Sequence, residues 1–259
     1  PTLEYLIISN NVTSSAGAAI YSTGYNEWPP VVIDGPSVRH SVIKNNISGN
    51  FAPIYNYGTH VLIESTLIHN NSSSRGVFYG WDGRTEITNC TITKNESGHP
   101  IFSGYTTGNP YGDTFATGGE LNLKYIINST IAYDNNPPNS INSINTYHNI
   151  PGTSTYISTT TNDHYSVSYS LLEYGDGDCD NYDGVTNSVL QNGSGNFSDP
   201  DPDCNFQETY EHPDPLFVNP DNNDFSLQEN SPAIDAGDPG LTVDPDGSFC
   251  SCPGYYFGS

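Results

Sequence analysis

Carboxylates at alternating positions carry the clearest chemistry in this chain. Asp176, Asp178, Asp180 and Asp183 surround Gly177 in the stretch Asp-Gly-Asp-Cys-Asp-Asn-Tyr-Asp, and Asp199, Asp201 and Asp203 form a second alternating set. Oxygen donors spaced by two around a glycine turn are how a calcium loop begins, because a hard cation takes carboxylate and carbonyl oxygens. Asn187 stands where an EF-hand would place its bidentate Glu, so the expected calcium loop is of another kind; a solvated acidic loop is the plain alternative. Cys179, Cys204, Cys250 and Cys252 lie in the same acidic region and allow three pairings, of which Cys179–Cys204 is favoured by loop length. Disulfides there would staple a weakly apolar segment and imply an oxidising, extracellular setting. The fifth cysteine, Cys90, sits in an aliphatic repeat and is expected to be a buried free thiol.

A second chemical signal is the glycosylation sequon. Asn-x-Ser/Thr occurs at Asn11, Asn46, Asn71, Asn95, Asn128, Asn192 and Asn196, besides Asn70 and Asn89. Asn11, Asn46, Asn71 and Asn95 share one repeat position, where an outward side chain would accept a glycan. The competing expectation is structural: Asn tolerates left-handed backbone and can hydrogen-bond to the next Asn of a stack. One side chain cannot do both. The seven histidines show no metal-ligand spacing, and no Gly-x-Ser-x-Gly elbow is present.

These residues are positioned by a repeat. Leu3-Glu4-Tyr5-Leu6-Ile7-Ile8-Ser9-Asn10-Asn11 aligns with Val38 to Asn46, Ile63 to Asn71, Ile87 to Asn95, Ile127 to Asn135 and, more weakly, Val167 to Gly175. The anchors Leu3, Val38, Ile63, Ile87, Ile127 and Val167 are separated by 35, 25, 24, 40 and 40 residues. Small or hydroxylated residues prevail at the third position after the anchor (Leu6, Ser41, Thr66, Cys90, Thr130, Ser170). An apolar residue sits at the fifth (Ile8, Ile43, Ile68, Ile92, Ala132, Leu172), and Asn closes five of six units at the eighth. The third and fifth positions share parity, as side chains on one strand face must; the anchor does not, so a bend lies between. A second cluster follows each unit: Ala19-Ile20-Tyr21, Pro53-Ile54-Tyr55, Val77-Phe78-Tyr79 and Pro100-Ile101-Phe102. A third precedes the next anchor, as in Val31-Val32-Ile33. Two or three short strands per unit of 24–25 residues predict one coil of a β-solenoid, with loop insertions at residues 23–30, 105–119 and 137–161. The matched residues Tyr21, Tyr55 and Tyr79 predict either a ladder of packed rings or a sugar-binding row.

The repeat and tail together resemble the secreted right-handed parallel β-helix proteins of the pectate-lyase-like superfamily, particularly its uncharacterised bacterial and environmental surface members. The tail signature is Asp214-Pro215-Leu216-Phe217-Val218-Asn219-Pro220, then Asp224 to Gln228, then Ser231-Pro232-Ala233-Ile234-Asp235-Ala236-Gly237. The resemblance implies an all-β right-handed parallel β-helix over residues 1–175, followed by a loop-rich acidic C-terminal region over 176–259. Such tails precede a surface anchor, a pattern from which Phe249-Cys250-Ser251-Cys252 departs. Lyases of this shape use Arg or Lys as base, but this chain has only Arg39, Arg75, Arg84, Lys44, Lys94 and Lys124, and Lys44 and Lys94 read as solvated turn residues. The polygalacturonase set of Asn-Thr-Asp, Asp-Asp, Gly-His-Gly and Arg-Ile-Lys is absent. No catalytic residue is therefore assigned.

Charge narrows the partners. All six basic residues and ten acidic ones lie in residues 1–150, whereas residues 151–259 hold nineteen acidic residues and no Lys or Arg, for a net charge of −23. Phosphate contact and binding to anionic membrane both need cations, so neither nucleic acid nor a membrane surface is an expected partner. No apolar run is long enough to span a bilayer. The absence of Met and the first residue Pro suggest a processed product or a segment, with any signal peptide gone. Solenoids need polar caps, and here a repeat strand starts at once. The expected function is an extracellular structural protein that stacks head-to-tail on copies of itself into a filament. A carbohydrate-binding adhesin and a polysaccharide lyase or glycoside hydrolase are the alternatives.

Overall fold

The computed structural model describes residues 1–24, 33–99, 101–108, 124–136, 144–149, 156–161, 165–174, 185–186, 189–192, 214–231 and 233–234. These are all-β apart from one 3-10 turn, Pro220–Asn222. Short parallel strands gather into four stacked sheets, which the chain visits in turn before returning to the first. Each circuit is called a rung here.

Sheet A contains Thr2–Glu4, Ile33–Arg39, Thr59–Glu64, Arg84–Thr88, Lys124–Asn128, Tyr165–Ser168 and Val185–Thr186, in that order. Sheet B contains Ile7–Ser9, Val42–Lys44, Leu67–His69, Thr91–Thr93, Ile131–Tyr133, Leu171–Tyr174 and Val189–Asn192. Sheet C is built from two-residue strands, Val12–Thr13, Ile47–Ser48, Ser72–Ser73 and Glu96–Ser97. Sheet D runs Ile20–Thr23, Ile54–Tyr57, Phe78–Trp81, Phe102–Gly108 and Ile144–Asn149, and Tyr156–Thr161 closes it as its one antiparallel member.

Register stacks like on like. In sheet A the anchors pair in sequence, from Leu3 with Val38 through Ile63, Ile87 and Ile127 to Val167. In sheet B, Ile8, Ile43, Ile68, Ile92, Ala132 and Leu172 form one column. In sheet D, Ile20, Ile54, Phe78 and Phe102 form another. These three columns converge in one buried cluster, each fully buried aliphatic side chain contributing about 1.5–3 kcal/mol. The backbone turns where the parity change predicted a bend. Tyr5, His40, Ser65, Asn89, Ser129 and Tyr169, each two residues past its anchor, have positive φ.

Several expectations need correction. Each rung of the first four has four strands, not two or three. Sheet C was illegible because its strands are two residues long and mostly polar. The fourth unit pairs Phe102, not Ile101, with Phe78, so the Pro100-Ile101-Phe102 alignment is off by one. Residues 137–161 are not merely an insertion, since two strands within them join sheet D. Parallel pairing also continues past residue 175, to Asn192.

The tail folds back on the stack. Phe217–Asn219 and Asp224–Leu227 form an antiparallel hairpin around Pro220–Asn222, with Asn223 in the left-handed region. Phe217 and Phe225 pack on Leu67, Ile131 and Leu171, which point outward from sheet B. The Ser231 hydroxyl donates to the Pro215 carbonyl at 2.6 Å and accepts the Ala233 N–H at 3.1 Å, pinning the start of the Ser-Pro-Ala segment to the start of the hairpin.

Candidate functional site

Polar ladders run along two corners of the stack. At the corner between sheets A and B, the hydroxyls of Ser41, Thr66 and Thr130 donate to the carbonyls two residues earlier, at 2.6, 2.8 and 3.0 Å. The Cys90 thiol does the same toward Thr88 at 3.3 Å, and is a buried thiol as expected. The backbone N–H of the rung below reaches some of these atoms: Leu6 to Ser41 Oγ, Cys90 to Thr130 Oγ1 and Thr130 to Ser170 Oγ.

At the corner between sheets B and C, the closing asparagines form a continuous ladder. The Nδ2 groups of Asn11, Asn46, Asn71 and Asn95 donate to Oδ1 of Asn46, Asn71, Asn95 and Asn135, at 2.9–3.0 Å. The backbone N–H of each lower Asn reaches the same oxygen at 2.9–3.2 Å. Each Nδ2 from Asn46 to Asn135 also meets two carbonyls, as Asn71 meets Ile43 and His69. The left-handed residue is the one before: Asn10, Asn45, Asn70, Lys94 and Asp134.

This geometry decides between glycan and ladder at three sequons. Asn46, Asn71 and Asn95 are fully buried, and the nitrogen that a glycan would occupy is hydrogen-bonded on all sides. At those three positions the burial favours the ladder over a glycan. Asn11 is exposed and Asn128 half-buried. The Asn192 side chain and Asn196 lie outside the described residues. So do Asp176, Asp178, Asp180, Asp183, Asp199, Asp201 and Asp203, and so do Cys179, Cys204, Cys250 and Cys252. No group of three or more potential metal ligands occurs among the described residues.

The tyrosines form a ring ladder. Tyr21 stacks on Tyr55 (5.2 Å, 12° between planes) and Tyr55 on Tyr79 (5.9 Å, 4°), with the Phe51 edge closing over the latter two. Burial and the neighbouring tyrosine hydroxyls push the Tyr55 phenol up to about 12. Ring faces are thus turned toward one another along the stack, and Arg75 lies over Phe51 and Tyr79. Tyr5 stacks likewise on His40 (5.2 Å, 15°).

Periodicity did not show the outer charges of sheet A. Glu86 meets His60 at 3.0 Å and Arg84 at 2.5 Å, while Arg39 meets Glu64 at 2.7 Å. Arg39 and Glu64 are register partners, Arg84 and Glu86 lie two apart on one strand, and His60 and Glu86 sit one rung apart in adjacent columns. Lys94 pairs with Asp134 at 2.5 Å. These pairs are part-exposed and each is worth at most ~1 kcal/mol.

The first rung differs from the rest. Its four strands are edge strands in all four sheets. Tyr5, Ile7, Val12 and Tyr21 are 66%, 68%, 73% and 59% exposed. The Asn11 Oδ1 accepts no hydrogen bond among the described residues, although every higher oxygen of its ladder accepts two. Comparison with family models, with curated proteins and with solved structures gives no match for this chain.

Proposed function

We propose that this chain is a right-handed parallel β-helix that serves as an extracellular structural protein and associates end to end into a filament. The right hand is supported by the general crossover preference of parallel strands, and the four-sheet circuit is compatible with such a helix. The observation that supports the functional reading is the repeat itself: in each of the four sheets a strand pairs in parallel, and in register, with its equivalent one rung on.

The ladder also has a direction. Each Asn donates to the rung above and accepts from the rung below, so any rung added in line must point the same way. A second copy stacked head-to-tail provides such a rung, and the operation does not close. The acidic calcium loops and the accessible sequons Asn11 and Asn128 belong to the same extracellular reading. Against a sugar-binding row stand the ring faces of Tyr21, Tyr55 and Tyr79, which are turned toward each other.

Electron microscopy of the full chain across a concentration series tests this. Rods that lengthen with concentration are expected. Strictly monomeric particles at every concentration overturn the reading.

A further inference from the structure

We propose that the hairpin of residues 216–227 is an acid-released clasp on the outer face of sheet B, with the His69 imidazole as its trigger. His69 projects from the outer side of sheet B, in register between Lys44 and Thr93. The Phe225 ring closes over it edge-on, with centroids 5.2 Å apart. Phe217 and Phe225 complete the cover by packing on Leu67, Ile131 and Leu171. A hydrogen bond from Asn70 Nδ2 to Asn223 Oδ1 at 2.9 Å ties the hairpin tip to the turn beside His69.

The covered face is poorly suited to permanent burial. The Nδ1 of His69 and the Oγ1 of Thr93, neighbours in register, are both buried without a hydrogen-bond partner among the described residues. Each such group weakens docking, because undocking returns it to water. A protonated imidazole would be far less tolerable there.

The charges around His69 offer a proton no help. On sheet B the neighbouring cation is Lys44, which repels it. Asp134 of the fifth rung is paired with Lys94. On the hairpin, Asp221 and Asp224 are exposed, and Asp224 Oδ1 accepts from the Ser226 N–H and hydroxyl. Glu229, beyond the hairpin, is exposed as well. Burial first, and Lys44 second, hold the docked imidazole down to about 4, against an ordinary value of 6.5.

The sign follows from linkage. The undocked imidazole takes up a proton as pH falls through 6.5, while the docked one resists until about 4. Docking is therefore strongest above 6.5, weakens as pH falls from 6.5 towards 4, and is weakened about 160-fold at pH 4. Release uncovers Leu67, Ile131 and Leu171, which share an outward column with the exposed Ile7 and half-buried Val42. The freed face is an apolar stripe along the stack, interrupted at Thr91.

The test is amide hydrogen exchange on the full chain at pH 7 and pH 4.5, corrected for intrinsic rates. Peptides spanning 216–228 should lose at least tenfold protection at the lower pH, while those spanning 84–93 keep theirs. In His69→Gln the hairpin should stay protected at both pH values. Phe225→Ala should leave the hairpin unprotected at pH 7 and return the His69 ring titration, read by NMR, toward 6.5. An equal acid loss in His69→Gln, or no loss in the unaltered chain, overturns the proposal.

Discussion

The two corners of the rung solve one problem in different ways. Both must turn the chain through a left-handed residue and satisfy the polar groups that the turn exposes. At the A–B corner a hydroxyl or thiol bridges to a carbonyl two residues back. One short side chain with one donor suffices, so Ser, Thr and Cys interchange, and the exposed first rung carries Leu6. At the B–C corner the demand is larger. The side chain must reach two carbonyls and the rung above while its oxygen accepts two donors from the rung below. Among uncharged side chains short enough for the turn, only Asn carries both an NH2 and a carbonyl oxygen. Tolerance at one corner and constancy at the other therefore measure how many backbone groups each leaves to its side chain.

Removing one rung of each ladder should widen that contrast. Asn71→Ala takes the acceptor from the buried Asn46 N–H and the side-chain donor from the carbonyls of Ile43 and His69, of which His69 keeps the Asn45 N–H. With one buried N–H unsatisfied and several bonds lost, a loss of about 2–4 kcal/mol is expected in chemical denaturation. Thr66→Val keeps the shape and deletes one hydroxyl bond, to Glu64, and should cost only about 1 kcal/mol. Comparable losses from the two substitutions would erase the distinction between the corners.

The same contrast explains what the sequence made legible. The inner columns of sheets A and B could be read because Ile63, Ile87, Ile68 and Ile92 recur at a fixed parity around a fixed bend. The Asn column was also visible, but its direction was not: the same sequon suits an outward glycan and an inward ladder, and only burial separates them. Sheet C left no pattern, since Ser72-Ser73 and Glu96-Ser97 need only backbone pairing to belong to it. The hairpin's seat was hidden for another reason. Leu67, Ile131 and Leu171 share one outward column, but Thr91 interrupts it. Nothing local in the tail names the surface that Phe217 and Phe225 cover.

The whole account rests on rungs joined through buried asparagine amides, and the side-chain NH2 protons of those residues report on it directly. Their hydrogen exchange can be followed by NMR in the intact chain. The Asn46, Asn71 and Asn95 side-chain protons should exchange orders of magnitude more slowly than those of the exposed Asn222. Exchange of all four at the same fast rate would contradict the ladder, and with it the stacking on which the filament depends.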